Sequence, residues 1–193
     1  MTLSPLKKLA ILLGATIFLQ GCVAAVIGGG AVAAKVATDP RTTGTQIDDE
    51  TLEFKVENAV EKDAQIKAEG RVNAISYNGR VLLIGQVPNS DVKDTATALA
   101  KGVKGVNEVY NELTVSPKIS FAQISKDSWL TTQVKSKMFV DGRVKATDVK
   151  VISENGEVFL LGNVTQSQAN AAADIASKIS GVKKVIKVFK YLD

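Results

Sequence analysis

The sequence predicts an α+β protein made of two tandem αββαβ domains, each a three-stranded mixed sheet packed on two helices. Three observations carry this reading. Asn78–Val87 (NGRVLLIGQV) recurs as Asn155–Val164 (NGEVFLLGNV) at a constant shift of 77 residues. Each copy opens on Asn-Gly, the strongest short hairpin signal, because both central residues of that turn need positive φ. Helix-period and strand-period apolar spacing also follow one another in the same order in both halves.

The elements come in sequence. Leu52, Val56, Ala59 and Val60 stand at helical spacing, as do Leu130, Val134 and Met138 at a shift of 78, so each domain begins with an amphipathic helix. Asp48 to Glu50 and Asp127-Ser128 read as the helix starts, where short oxygen-bearing side chains cap free amides. Residues 72–77 and 149–153 alternate like half-buried strands, and the Asn-Gly turns lead into returning strands at 81–84 and 158–161. Those returning strands are apolar on both faces and so read as central. Alanine-rich segments at 90–101 and 166–177 give the second helices, with Gly105 and Gly181 at their exits. Residues 109–115 and 185–191 close each copy. A β-α-β crossover makes the last two strands parallel. Shifts of 76, 77 and 78 along the repeat mark single insertions, which belong in loops.

Ahead of the repeats stands a leader. Lys7 and Lys8 precede an apolar run from Leu9 to Leu19, eleven residues against the roughly twenty that span a bilayer as a helix. This is the layout of a secretory signal, and Leu19-Gln20-Gly21-Cys22 resembles a bacterial lipobox, with Cys22 as the acylated residue. Val23 in place of aspartate after Cys22 favours the outer membrane over the inner. The expected organisation is a signal peptide at 1–21, a lipidated tether at 22–46, domains at 47–115 and 126–193, and a linker at 116–125. Gly28-Gly29-Gly30 lacks the Lys-Ser/Thr ending of a phosphate loop and reads as tether.

Composition narrows the chemistry. Among 193 residues there is no histidine and one cysteine, which removes His-based triads, His- or Cys-rich metal sites and intrachain disulfides. No catalytic set, metal, cofactor or small-molecule substrate is expected. Glu154 and Glu157 flank a turn, and the acids at 48–50 read as caps. Residues 48–115 carry eight Lys/Arg against twelve Asp/Glu, a net of −4, whereas residues 126–193 carry eleven against seven, a net of +4. A basic module suits nucleic acid or an anionic bilayer. An export signal and the lack of an aromatic stacking platform argue against nucleic acid.

Trp129 is the only tryptophan, and its counterpart in the first copy is Thr51. It is expected at the start of the second domain's first helix. At about 100° per residue it falls near Lys126, Gln133, Ser136 and Lys137, a lysine-flanked indole suited to lipid headgroups. The alternative is packing against the other domain.

The duplicated helix, the hairpin glycine, the apolar strand and the Gly-Val before the last strand resemble BON domains. Together with the lipobox, they resemble the outer-membrane lipoproteins that carry two of them. That resemblance implies a periplasm-facing protein whose second domain binds anionic phospholipid, supports envelope integrity and is enriched at the division site. A protein–protein adaptor without direct lipid binding is the alternative, with envelope proteins as partners.

Overall fold

The structure, a computed structural model, describes residues 42–192, which belong to one compact unit. The leader, Cys22 and residues 23–41 of the expected tether lie outside the described residues. In chain order the first domain comprises α1 (Thr43–Val60), α2 (Ala64–Glu69), β1 (Arg71–Tyr77), β2 (Arg80–Val87), α3 (Ser90–Lys101) and β3 (Glu108–Val115). The second comprises α4 (Phe121–Asp141), a 3-10 turn (Ala146–Asp148), β4 (Val149–Glu154), β5 (Glu157–Val164), α5 (Gln166–Ser177) and β6 (Lys184–Tyr191). The fold is the expected αββαβ unit written twice, with α2 added in the first copy.

In each sheet the second strand is central, antiparallel to its hairpin partner and parallel to the strand after the crossover helix. The turns are those that Asn-Gly specifies. Asn78 and Gly79 have φ of 54° and 74°, and Asn155 and Gly156 have 52° and 80°, the two left-handed residues of a type I′ turn. A second pair of repeated glycines sits in the central strands. A Cβ on Gly85 would lie 1.9 Å from the Arg71 carbonyl oxygen, and one on Gly162 would lie 2.2 Å from that of Asp148. Only glycine lets the paired backbones come this close.

The helix starts differ from the sequence reading. Thr42 caps α1 by accepting from the Thr45 amide at 3.2 Å, and Ser120 caps α4 by accepting from the Gln123 amide at 3.2 Å. Residues 43–46 of the expected tether and 121–125 of the expected linker are therefore helical. Asp49 and Asp127 are not caps. Each is buried and reaches across to its own hairpin turn. Asp49 accepts from the Asn78 and Gly79 amides at 2.8 and 3.0 Å and from the Ser76 hydroxyl at 2.6 Å. Asp127 accepts from the Asn155 and Gly156 amides, both at 2.8 Å. On α1 the pattern extends down the edge strand. Glu53 accepts from the Ser76 amide at 2.8 Å and Glu57 from the Ala74 amide at 3.1 Å. Acids at i, i+4 and i+8 of a helix thus satisfy alternate amides of an edge strand, which blocks pairing with another chain.

Strand alternation assigns each side chain to one of two cores. Val81, Leu83 and Val87 of β2 face α1 and α3, and Val158, Leu160 and Val164 of β5 face α4 and α5. The other face of each central strand meets its counterpart. Tyr77, Leu82 and Ile84 pack with Phe159, Leu161 and Val188 in a third buried cluster shared by the two sheets. Polar groups close its margins. Glu154 accepts from Arg71 at 2.5 Å and from Gln86 at 2.7 Å, and Lys150 donates to Glu53 at 2.7 Å. The buried Arg80 guanidinium donates to the Val188 and Gly162 carbonyls and to Asn163 Oδ1, with the Tyr77 ring centroid 5.8 Å away.

Beyond α4 the chain turns at Gly142, whose φ is 71°. Arg143 then joins two elements, donating to Asp141 at 2.6 and 2.9 Å and to Asp174 of α5 at 3.2 Å. Lys178 pairs with the same Asp174 at 2.7 Å. Arg143's hydrogen bonds hold the Asp141 carboxyl below the usual carboxylate range, and the Lys178 hydrogen bond does the same for Asp174.

Two outcomes are expected. Asp127→Ala strands two turn amides and should lower stability by about 2–4 kcal/mol, read from the urea midpoint, with Asp127→Asn in between. The carboxylates beside Arg143 titrate lower in the folded chain than in the unfolded one. Their stabilisation is therefore complete above the ordinary aspartate range, about pH 4, and is lost as pH falls through the depressed values. The protection of amides 139–143, taken relative to their intrinsic exchange rate at each pH, should fall on that acidification. In Arg143→Ala that protection should already be low at neutral pH.

Candidate lipid-binding face

Helix α4 runs for 21 residues and buries Asp127, Leu130, Val134 and Met138 along one stripe. Its position is fixed from both sides. The three apolar side chains sit in the core of the second domain, and the Asp127 carboxylate is bound to the hairpin turn. The opposite face is left to solvent. Trp129 is 65% exposed there, with Val140 at 76%, Phe139 at 79% and Phe121 at 82%.

At about 100° and 1.5 Å per residue, Trp129, Ser136 and Val140 form one row. Lys126, Gln133 and Lys137 flank it on one side, and Phe121 and Phe139 on the other. The apolar face spans roughly 28 Å from Phe121 to Val140. Of the residues singled out in the sequence, Lys126, Trp129, Ser136 and Lys137 are exposed on α4, and Gln133 is half-buried on the same helix. Cys22 is outside the described residues. The structure therefore gathers the five α4 residues on one surface and points the indole outward, away from the other domain.

Trp129 lies in the ninth position of α4, not at its start. This correction enlarges the face. Starting the helix at Asp127-Ser128 removes Phe121 from it, and the Leu130-Val134-Met138 stripe leaves out the adjacent Phe139 and Val140. Their signal was present in the sequence: positions 129 and 140 are eleven residues apart, close to three full turns. The same face of α1 differs. The positions equivalent to Trp129, Ser136 and Val140 are Thr51, Asn58 and Lys62.

Chemically, the face offers protruding apolar groups on a rigid helix with ammonium groups beside them. Aromatic side chains of this kind bury their rings at a membrane interface while polar atoms stay hydrated. Among the described residues no helix is long and apolar enough to cross a membrane, so any contact through α4 lies along a surface.

The BON domain family model matches residues 48–117 and 126–193. The chain is 99% identical over 193 residues to Outer membrane lipoprotein DolP of Haemophilus influenzae, covering all of both chains. It is 54% identical over 154 residues to the 21 kDa hemolysin of Actinobacillus pleuropneumoniae, covering 80% of this chain and 79% of that one. It is also 31% identical over 154 residues to Osmotically-inducible protein Y of Escherichia coli, covering 78% and 76%. Near-identity to an outer-membrane lipoprotein gives the chain that location, lipid-anchored at the outer membrane. With two matched modules occupying most of its length, the chain belongs to the BON-domain family.

Proposed function

We propose that the protein binds anionic phospholipid through α4 of its second domain while its acylated amino terminus holds it to the outer membrane. The observation that carries this reading is the exposure of Trp129, Phe121, Phe139 and Val140 on one helix face beside Lys126 and Lys137. Fully burying one such side chain contributes about 1.5–3 kcal/mol, and each lysine near an anionic surface adds about 1 kcal/mol. Partial immersion therefore gives a weak, composition-sensitive contact. Tethering to an anchored Cys22 raises its effective concentration.

The anchor supplies residence and the helix supplies selectivity. Such a protein collects where acidic lipid is enriched, which accounts for a role in envelope integrity and for enrichment at the division site. The proposal requires no catalytic step. The carboxylates a hydrolase would need are engaged structurally: Asp49 and Asp127 hold hairpin amides, and Glu154 binds Arg71 and Gln86.

The test uses the chain without residues 1–41 and flotation with phosphatidylglycerol vesicles. Trp129→Glu should reduce binding about tenfold or more, a loss above 1.4 kcal/mol, with an unchanged circular dichroism spectrum. Raising the salt so that the Debye length falls below about 10 Å should weaken wild-type binding as well. Equal flotation of variant and wild type would remove α4 as the lipid contact and leave the adaptor reading.

A further inference from the structure

The first domain carries a groove of a different character. It runs between α1 and the end of α3, about 580 Å³ in volume, and continues along α1 towards Gly105. Its floor is apolar. Ala59, Leu99 and Val103 are half-buried there, and Leu99 and Val103 pack on the domain core. Phe54 stands on its rim, 67% exposed. Three lysines line it: Lys55 from α1, Lys62 from the turn that follows α1, and Lys104 from the loop after α3. None of the three makes an ion pair among the described residues. Asp48 and the turn-bound Asp49 line only the far extension, near Thr45.

Two features make this arrangement informative. The domain as a whole is acidic, net −4 over residues 48–115, yet three unpaired cations converge on one apolar trough. The second domain also lacks the set. Phe54, Lys55, Lys62 and Lys104 correspond there to Thr132, Gln133, Val140 and Ser180, and the nearby Lys178 is paired with Asp174. On one scaffold, then, the groove chemistry belongs to the first copy alone.

We infer that this groove docks an acidic segment of a partner protein, one that places an apolar side chain on the Leu99–Val103 floor and carboxylates against Lys55, Lys62 and Lys104. Charge complementarity selects an anionic occupant, and shape selects a peptide over a bilayer. On α4 the apolar groups project outward and can enter a membrane. Here, apart from Phe54, they are half-buried between α1 and the end of α3, set back from a flat surface but within reach of a side chain extending from a bound backbone. Phe54 closes over that side chain as an aromatic anchor of the sort that dominates small interfaces.

The experiment is zero-length carbodiimide coupling on isolated envelope membranes containing the full-length protein, with linked peptides identified by mass spectrometry. Coupling joins a lysine Nζ to a carboxylate only where the two already touch. Expected are amide links from Lys55, Lys62 or Lys104 to aspartates or glutamates within one acidic stretch of another protein. Their yield should fall about tenfold in Phe54→Ala, which keeps every lysine. Phe54 is exposed, so the variant should fold, and an unchanged thermal midpoint confirms it. The inference is overturned if these lysines link only within their own chain, or if Phe54→Ala leaves the yield unchanged. Protection of the same lysines from amine labelling by phosphatidylglycerol vesicles would also overturn it, by making the groove a lipid site.

Discussion

The packing of one sheet on the other governs this molecule. A three-stranded sheet with helices on one side has a second face to cover, and Leu82 and Ile84 in one copy, Phe159 and Leu161 in the other, make that face apolar. Duplication solves the problem by giving each sheet the other as its cover. Each large side chain buried there contributes about 1.5–3 kcal/mol. The polar margin, with Arg71, Gln86 and Glu154 at one place and Lys150 and Glu53 at another, holds the two sheets in register through bonds that only this arrangement satisfies. The opposite net charges of the halves contribute little to this choice, because the cross-domain ion pairs run in both directions: a first-domain cation to a second-domain acid, and the reverse.

With the sheets occupied by each other, the helices carry the outward-facing surface, and there the copies diverge. What the fold needs is retained at the repeat spacing: the Asn-Gly turns, the glycines of the central strands, and an aspartate on the first helix that holds the hairpin amides. What faces outward has changed. Thr51 faces solvent on α1 where Trp129 does on α4, Phe54 has become Thr132, and Lys62 has become Val140. One scaffold thus presents a protruding apolar helix face on one copy and a recessed basic groove on the other. The constraint that freezes the interior is what leaves the exterior free to specialise.

Much of this was legible in the sequence because local rules wrote it. Positive φ at Asn78 and Asn155 follows from the turn they occupy, and apolar residues on both faces of 81–84 and 158–161 require a central strand. The sequence did not reveal what covers the second face, because an apolar residue carries no label for its partner. The helix starts are hidden in the sequence for a related reason. The first turns beyond Thr42 and Ser120 contribute no residue to either domain core, so Phe121 and Ile124 do not extend the buried apolar stripe that reveals a helix. Asp49 and Asp127 have the chemistry of caps, but their partners lie about 29 residues away in a hairpin. Truncating α4 at its start then hid Phe121 and the full extent of the exposed face.

Native-state hydrogen exchange on residues 42–193, comparing wild type with Leu82→Asp, tests the sheet-on-sheet packing most directly. The substitution lies in the first domain, on the face turned away from that domain's own core. If the sheets cover each other, amides of Phe159 to Leu161 in the second domain should lose protection together with those of β2. Undiminished protection at Phe159 to Leu161, with β2 alone exchanging faster, would contradict mutual cover and make the two copies independent bodies.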